Sequence, residues 1–133
     1  MIQERYVSFE VAKMLKEKGF NEPCRLFYKN PQAGLYEFKN IPKSYKDIPN
    51  NPWFCAPSLY VTMEWLREKG IVIETRIDFD CMSEPPTYAF VGYSARIYTI
   101  EKAINVDETR IDRYETYEEA VEAAILYSLK ELI

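Results

Sequence analysis

Cys55 is the residue in this sequence best placed to act as a nucleophile. It lies just before Ser58, where a helix is predicted to begin, and the positive end of a helix dipole lowers the pKa of a nearby thiol. The chain has no histidine, so the usual base that activates a cysteine is missing. Cys55 also stands between Phe54 and Ala56, which is typical of a small buried side chain. We therefore expect an inert Cys55 and keep a cysteine-dependent enzyme as the second alternative.

The cysteine pattern predicts reduced thiols. Cys24, Cys55 and Cys81 are odd in number, are far apart and include no C-x-x-C pair, which argues against a disulfide framework and a zinc ribbon. The absence of histidine also removes the commonest metal ligand. We predict no catalytic residue, metal site, cofactor or small-molecule ligand.

Three carboxylates near the middle of the chain are the remaining candidates for metal chemistry. Asp78 and Asp80 would point to the same side of a strand, and Glu84 follows in the next turn, so the three could gather around a hard cation. Their spacing matches no calcium loop. A solvated strand end is the better interpretation.

A basic and aromatic region between residues 29 and 46 is the sharpest functional signal. Residues 1–50 carry nine Lys and Arg against six Asp and Glu, while residues 51–133 carry eight against fifteen, so an anionic partner would prefer the first part. Lysines interleaved with aromatic rings are the mixture that binds single-stranded nucleic acid. The candidate nucleic-acid-binding residues are Lys29, Tyr36, Lys39, Lys43, Tyr45 and Lys46. Because the whole chain is acidic and lacks an RNA-binding signature, nucleic-acid binding is the first alternative, below protein binding.

The elements that must position these residues are clearest over residues 56–73, which predict a capped helix running into a strand. Ser58 can accept hydrogen bonds from the first turn, Arg67 and Lys69 suit the negative end, and Gly70 allows a left-handed cap. Residues 15–20 resemble residues 66–71, and the same capping chemistry explains both.

This helix is apolar on two sides. At about 100° per residue, one broad stripe contains Leu59, Tyr60, Met63 and Leu66, and Thr62 falls in the polar remainder. Val61 and Trp65 form a second stripe. A helix of this kind is usually sandwiched, so we expect Trp65 to lie beneath the loop that carries Tyr45, Trp53 and Phe54. If the stripe is exposed instead, Val61 and Trp65 are candidate partner-binding residues.

The first third of the chain predicts a helix and a hairpin. Ser8 begins the helix, whose apolar stripe is Val11, Ala12 and Leu15. Residues 25–28 and 35–38 read as two strands joined by a turn-rich loop. Residues 40–57, with prolines at 42, 49, 52 and 57, should hold no regular structure but should pack down because the segment is aromatic.

The second half predicts a hairpin and a final helix. Residues 71–79 alternate, with Ile71, Ile73, Thr75, Ile77 and Phe79 on the covered face. A turn over residues 80–87 leads to a strand over residues 88–100 with a bulge at Gly92, and residues 101–115 are ambiguous. Thr116 and Glu119 form a capping box. The helix stripe that follows is Val121, Ala124, Ile125, Ser128, Leu129 and Leu132.

These elements predict a single α+β domain over residues 1–133, with segment 40–57 as a packed proline-rich loop. The order helix-strand-strand, helix-strands, helix places three helices on one face of a small, mostly antiparallel sheet of four to five strands. No apolar run reaches the length of about 18 residues that crosses a bilayer, and the start lacks a signal peptide, so we expect a cytoplasmic protein with no membrane partner.

Three segments of the chain carry a resemblance to a known family. They are residues 56–59 (Ala-Pro-Ser-Leu), residues 65–70 (Trp-Leu-Arg-Glu-Lys-Gly) and residues 117–120 (Tyr-Glu-Glu-Ala), the last followed by an Ala- and Leu-rich helix. Together they resemble a family of short uncharacterised proteins encoded in prophages and mobile elements of gut anaerobic bacteria. That family has no assigned activity, so the resemblance implies no site residue. It implies a small cytosolic accessory protein of a phage-like element. We therefore expect a non-enzymatic module that binds another protein or a second copy of itself.

Overall fold

The computed structural model describes residues 3–39, 42–47, 52–81, 88–101, 103–105 and 114–133. The helices are α1 (Phe9–Glu17), α2 (Leu59–Glu68) and α3 (Tyr117–Tyr127), the last continued by a π-helical turn over Ser128–Leu132. The strands are β1 (Leu26–Tyr28), β2 (Tyr36–Glu37), β3 (Phe54–Cys55), β4 (Val72–Cys81), β5 (Tyr88–Tyr98) and β6 (Ala103–Asn105).

The chain forms two compact units. Residues 1–65 with Ile133 make the first unit, and residues 66–132 make the second. The boundary falls inside α2, between Trp65 and Leu66. The prediction of one domain over residues 1–133 stays a prediction.

The strands form two antiparallel sheets, with orders β2-β1-β3 and β4-β5-β6. The predicted α+β class and antiparallel pairing are confirmed. The prediction of one sheet with four to five strands is wrong, because the described strands divide into two sheets of three. The unexpected member is β3, which lies in the segment predicted to hold no regular structure. It pairs Cys55 with Phe27, and Ala56 N–H extends the ladder by donating to the Leu26 carbonyl at 2.9 Å.

Helix α1 covers one face of the first sheet. The Ser8 side chain accepts a hydrogen bond from Val11 N–H, and Val11, Ala12 and Leu15 are buried, as predicted. The Phe9 ring packs edge-on against Tyr28 and Phe54, with centroids 5.8 and 5.1 Å away. These two residues are direct partners across β1 and β3, so their side chains point to the face that α1 occupies.

Helix α2 begins and ends where the sequence predicts. Ser58 Oγ accepts from Val61 N–H at 3.1 Å, and Gly70 adopts φ +84°. The Gly70 and Ile71 N–H groups donate to the Arg67 and Leu66 carbonyls at 2.9 and 3.0 Å, which is a Schellman motif. Helix α1 ends with the same pair of bonds, so the similarity of the two segments is a shared helix ending.

The polar and apolar sides of α2 differ from the prediction at two positions. Thr62, expected among the polar residues, is fully buried because its hydroxyl donates to the Ser58 carbonyl at 2.8 Å and so needs no water. Tyr60, expected in the broad apolar stripe, is 61% exposed, and its hydroxyl donates to Glu64 at 2.8 Å.

The second unit is built on the β4–β5 hairpin, whose register runs from Val72 opposite Tyr98 to Cys81 opposite Tyr88. The predicted bulge is confirmed, since Gly92 faces Asp78 while Phe90 faces Phe79, which leaves Val91 as the extra residue. Strand β4 continues to Cys81, so the predicted turn starts later than residue 80. The rest of that turn lies outside the described residues.

Helix α3 packs on β4 and β5. Thr116 caps it by accepting from Glu119 N–H at 3.1 Å, and Ala120, Val121, Ala124 and Ile125 are buried along it. The Tyr117 ring, at the start of α3, meets Tyr93 edge-on at 6.4 Å. Of the predicted stripe, Ser128 and Leu129 are also buried and Leu132 is half-buried.

The predicted covered face of β4 is only half covered. Ile71 is buried, and on the facing strand Ala95 and Ile97 are buried too. Ile77 and Phe79, predicted to belong to the same covered face, are exposed. Tyr93 meets Tyr117, the first residue of α3, and is the direct cross-strand partner of Ile77. The part of the hairpin beyond this pair therefore extends past the N-terminal end of α3.

Candidate functional site

Four aromatic side chains form the most distinctive surface feature of the first unit, which we call the aromatic face. It consists of Phe27, Tyr36, Phe38 and Trp53. Phe27 and Tyr36 are direct cross-strand partners, and the other two lie two residues along from a partner of Phe27, so all four share the sheet face opposite α1. The Phe27 ring stacks on those of Tyr36, Phe38 and Trp53, with centroids 5.7, 4.4 and 4.5 Å apart.

A lysine lies over this aromatic face. The Lys29 ammonium is 4.6 Å from the Tyr36 ring centroid and 5.4 Å from that of Trp53, within the range of cation–π attraction. Phe27 is buried at the centre, while Tyr36 is 42% exposed and Leu35 beside it is also exposed. The face therefore offers a tyrosine ring held by its neighbours and a positive charge to a partner.

Two thiols, of Cys24 and Cys55, form a second cluster that we call the thiol site. Cys24 and Cys55 are reduced and buried, with 4% and 1% of their surface exposed. The Cys24 and Lys43 backbones exchange hydrogen bonds of 2.8 and 3.0 Å, and the Cys55 thiol donates to the Lys43 carbonyl at 3.9 Å. Tyr45 completes the site, since its hydroxyl oxygen accepts from Cys55 N–H at 2.6 Å. The predicted packing of segment 40–57 is confirmed for these described residues.

The two thiols have opposite electrostatic settings. A hydrogen bond from the Cys24 thiol lowers the pKa of Cys55, with help from the Tyr45 hydroxyl and Lys16 and against the effect of burial. The same hydrogen bond, together with burial, raises the pKa of Cys24. Burial also raises the pKa of Tyr45. The sequence pattern indicates Cys55 but not its pairing with Cys24, because the two residues are far apart in the chain.

The structure separates the six residues predicted to bind nucleic acid. Lys29 and Tyr36 lie together on the aromatic face. Lys43 and Tyr45 belong to the thiol site, where the Lys16 ammonium lies 5.0 Å from the Tyr45 ring centroid. Lys39 and Lys46 are exposed. The predicted set of six does not include Trp53, whose ring lies on the aromatic face; the sequence pattern predicted that Trp53 would instead cover α2.

The two residues predicted to bind a partner on α2 are both largely covered. Trp65 is 8% exposed, and its ring packs edge-on against Phe20 with centroids 5.5 Å apart. The expectation that Trp65 is covered by its own chain is confirmed, but the ring against it is that of Phe20, three residues beyond the end of α1. The expected cover at Tyr45, Trp53 and Phe54 packs elsewhere, on the thiol site, Phe27 and Phe9.

Val61, the other candidate on α2, is half-buried and lines a small cleft with Tyr6, Arg25 and Pro57. The cleft holds about 200 Å³, below the roughly 300–1,000 Å³ of typical small-molecule sites. Among the residues that the structure describes, no group of three or more Cys, Asp or Glu is arranged to hold a metal ion. Of the three carboxylates considered above, Glu84 lies outside the described residues.

Within the same described ranges, no helix has the length and apolar character needed to cross a bilayer. A scan against models of protein families, a search of curated proteins and a search of solved structures each found no match.

Proposed function

We propose that the protein is a small non-enzymatic accessory protein that binds another protein, and that the aromatic face of the first sheet is its binding surface. The observation that carries this proposal is the exposure of Tyr36 on a stacked cluster of rings. Tyrosine and tryptophan are enriched at protein interfaces because they bury a large area at a low cost in side-chain entropy. Tyr36 is already held by Phe27 and Lys29, so little further ordering is needed on binding.

The charge around the aromatic face indicates the kind of partner. Lys29 is exposed and lies over the Tyr36 ring, whereas Glu37 is engaged by Arg25 at 3.6 Å. The surface therefore fits a segment that carries an apolar side chain beside a carboxylate.

The thiol site supports a non-catalytic function. A catalytic cysteine must reach its substrate, and both thiols here are buried. Titration with a disulfide reagent tests this in a Cys81→Ser background, which removes the third thiol. We expect Cys24 and Cys55 to react only after denaturation. A fast reaction of native Cys55 at low pH would favour the cysteine-dependent enzyme.

The cytoplasmic setting in a phage-like or mobile element belongs to the same proposal and rests on the resemblance in the α2 and α3 segments. Finding the coding sequence inside an integrated element of a bacterial genome would support it. Finding it in a conserved chromosomal operon far from such elements would count against it.

Capture experiments with matched variants test protein binding. A Leu35→Ser/Tyr36→Ser variant removes the most exposed ring of the aromatic face and the exposed leucine before it in the chain. Tyr60→Ser removes a tyrosine elsewhere in the first unit that is more exposed than Tyr36, 61% against 42%. We expect immobilised parent and Tyr60→Ser protein to retain the same specific partner from an extract of the source cells, and the double variant to lose it. Equal capture by all three proteins would show that the aromatic face is not the binding surface.

Single-stranded nucleic acid is the second candidate for the same surface, because an exposed ring beside lysines can stack a base next to a phosphate. Fluorescence anisotropy with labelled oligonucleotides, at low and moderate salt, separates the candidates. Binding that weakens steeply with salt and is lost in a Lys29→Glu/Lys39→Glu variant would favour nucleic acid. We expect no binding even at low salt, which would leave protein as the partner.

A further inference from the structure

Strand β4 is a long sheet edge. In the order β4-β5-β6, one side of β4 pairs with β5, and no strand among the described residues pairs with its other side. A sheet edge of this length, ten residues, is a template for another strand, and proteins usually cover or interrupt such edges. Ile77 on this strand is 56% exposed, so apolar surface lies along it.

The symmetry of a dimer limits how two copies of β4 can pair. A two-fold axis perpendicular to the sheet makes the two strands antiparallel and keeps each face of the sheet on its own side. Two residues directly opposite each other must then point to the same face, so their positions differ by an even number. One residue therefore lies midway between them, on the two-fold axis, opposite its own copy. Each possible register is therefore named by its central residue.

The charges along β4 select one of these registers. With Thr75 on the axis, Glu74 lies opposite Arg76 of the second copy, and the same pair forms again by symmetry. Both residues are exposed, and both point to the same face because they are two positions apart. On the other face this register sets Ile77 opposite Ile73 of the second copy, which covers the exposed isoleucine.

The neighbouring registers place like charges together. An axis at Glu74 or at Arg76 sets that residue opposite its own copy, and the axis at Arg76 also sets Glu74 opposite Asp78. Like charges directly opposite across strands are destabilising, so the register centred on Thr75 is the one that the charge pattern fits.

We propose that the protein forms a homodimer in which the β4 edges of two copies pair in antiparallel register about Thr75, joining the second sheets into one continuous six-stranded sheet. The partner is a second copy of this chain, and the pairing uses none of the residues of the aromatic face.

A charge-swap series tests the pairing by sedimentation velocity over a range of concentrations. Arg76→Glu and Glu74→Arg each turn both attractive pairs into repulsive ones, and each should weaken dimerisation by about tenfold or more. The double variant Glu74→Arg/Arg76→Glu restores two opposite-charge pairs and should restore the dimer. Arg67→Glu, an exposed charge change on α2, is the matched control and should dimerise like the parent.

Cysteine crosslinking tests the register itself. In Thr75→Cys the two new thiols would face each other, at the Cα separation of roughly 4.4–6.8 Å that a disulfide needs, so mild oxidation should yield a covalent dimer. In Ile77→Cys the thiols would be offset by four residues, or about 13 Å, and should not crosslink. Circular dichroism of each variant checks that the hairpin still folds.

Three outcomes would overturn the proposal. The parent could remain monomeric up to millimolar concentration, the dimer could survive both single charge changes, or Ile77→Cys could crosslink while Thr75→Cys does not. Because these measurements use purified protein alone, they are independent of whether the aromatic face binds a partner.

Discussion

Trp65 on α2 and Ile77 on β4 both lie in apolar patterns that predict a covered side chain, and only Trp65 is covered. Trp65 belongs to a second stripe on a helix whose first stripe already suits one core, and a helix that is apolar on two sides predicts a second segment of the chain over it. Trp65 is buried against Phe20. Ile77 belongs to a regular alternation that predicts a covered face, and it is exposed.

The difference shows that sequence periodicity indicates the direction in which a side chain points but not whether another segment covers it. A strand or helix pattern tells which residues point the same way. Whether they are covered depends on which segment lies above them and how far it extends. Phe20 reaches Trp65 from the end of α1, whereas α3 starts beside Tyr93 and so covers only the part of β4 that precedes Ile77.

The largest expected effect is at Trp65. Trp65→Ala removes a buried ring and should lower the free energy of unfolding by about 3–5 kcal/mol, a large part of a typical total of about 5–15 kcal/mol. Tyr60→Ala, on the exposed side of the same helix, should change it by about 0.5 kcal/mol or less. Denaturant melts at two protein concentrations measure both. A Trp65→Ala protein as stable as its parent would show that this ring is not part of the core.

Next in size is Ile97, the fully buried partner of Ile73 in the covered part of the hairpin. Ile97→Ala should cost about 2–5 kcal/mol, since it removes methyl groups and leaves a cavity. Urea unfolding followed by circular dichroism gives the value. A loss below about 1 kcal/mol would mean that α3 does not pack tightly over this part of the hairpin.

The Schellman ending of α2 should show a smaller effect. Gly70→Ala meets no atom within 4 Å but must adopt φ +84°, which costs an alanine about 1–2 kcal/mol. Gly34→Ala is the control, because it also meets nothing within 4 Å and has no positive φ. Equal stability of the two variants, measured by thermal melts, would contradict the left-handed ending.

The smallest effect is expected at Ile77, which makes it the sharpest test of the comparison. Ile77→Ala should change monomer stability by about 0.5 kcal/mol or less, because water already reaches most of the side chain. The melt must be run at a concentration too low for self-association. A loss as large as that of Ile97→Ala would show that this part of β4 is covered after all.

The sequence predicted much of the local structure and little of the candidate sites. It placed the Ser8, Ser58 and Thr116 caps, the endings at Gly19 and Gly70, and the bulge at Gly92. It missed β3, which is only two residues long and lies among prolines. Without β3, neither the aromatic face nor the thiol site could be assembled from the pattern, because both depend on the pairing of Cys55 with Phe27.

The sequence by itself determined where the helices begin and end and which way each strand residue points. Those features depend on hydrogen bonds and backbone angles within a few residues, so short patterns contain the information. Only the tertiary structure decided that Cys24 meets Cys55, that Trp53 stacks on Phe27, and that α3 leaves Ile77 exposed. Each of these depends on which distant segment happens to pack there, and no short pattern records that choice.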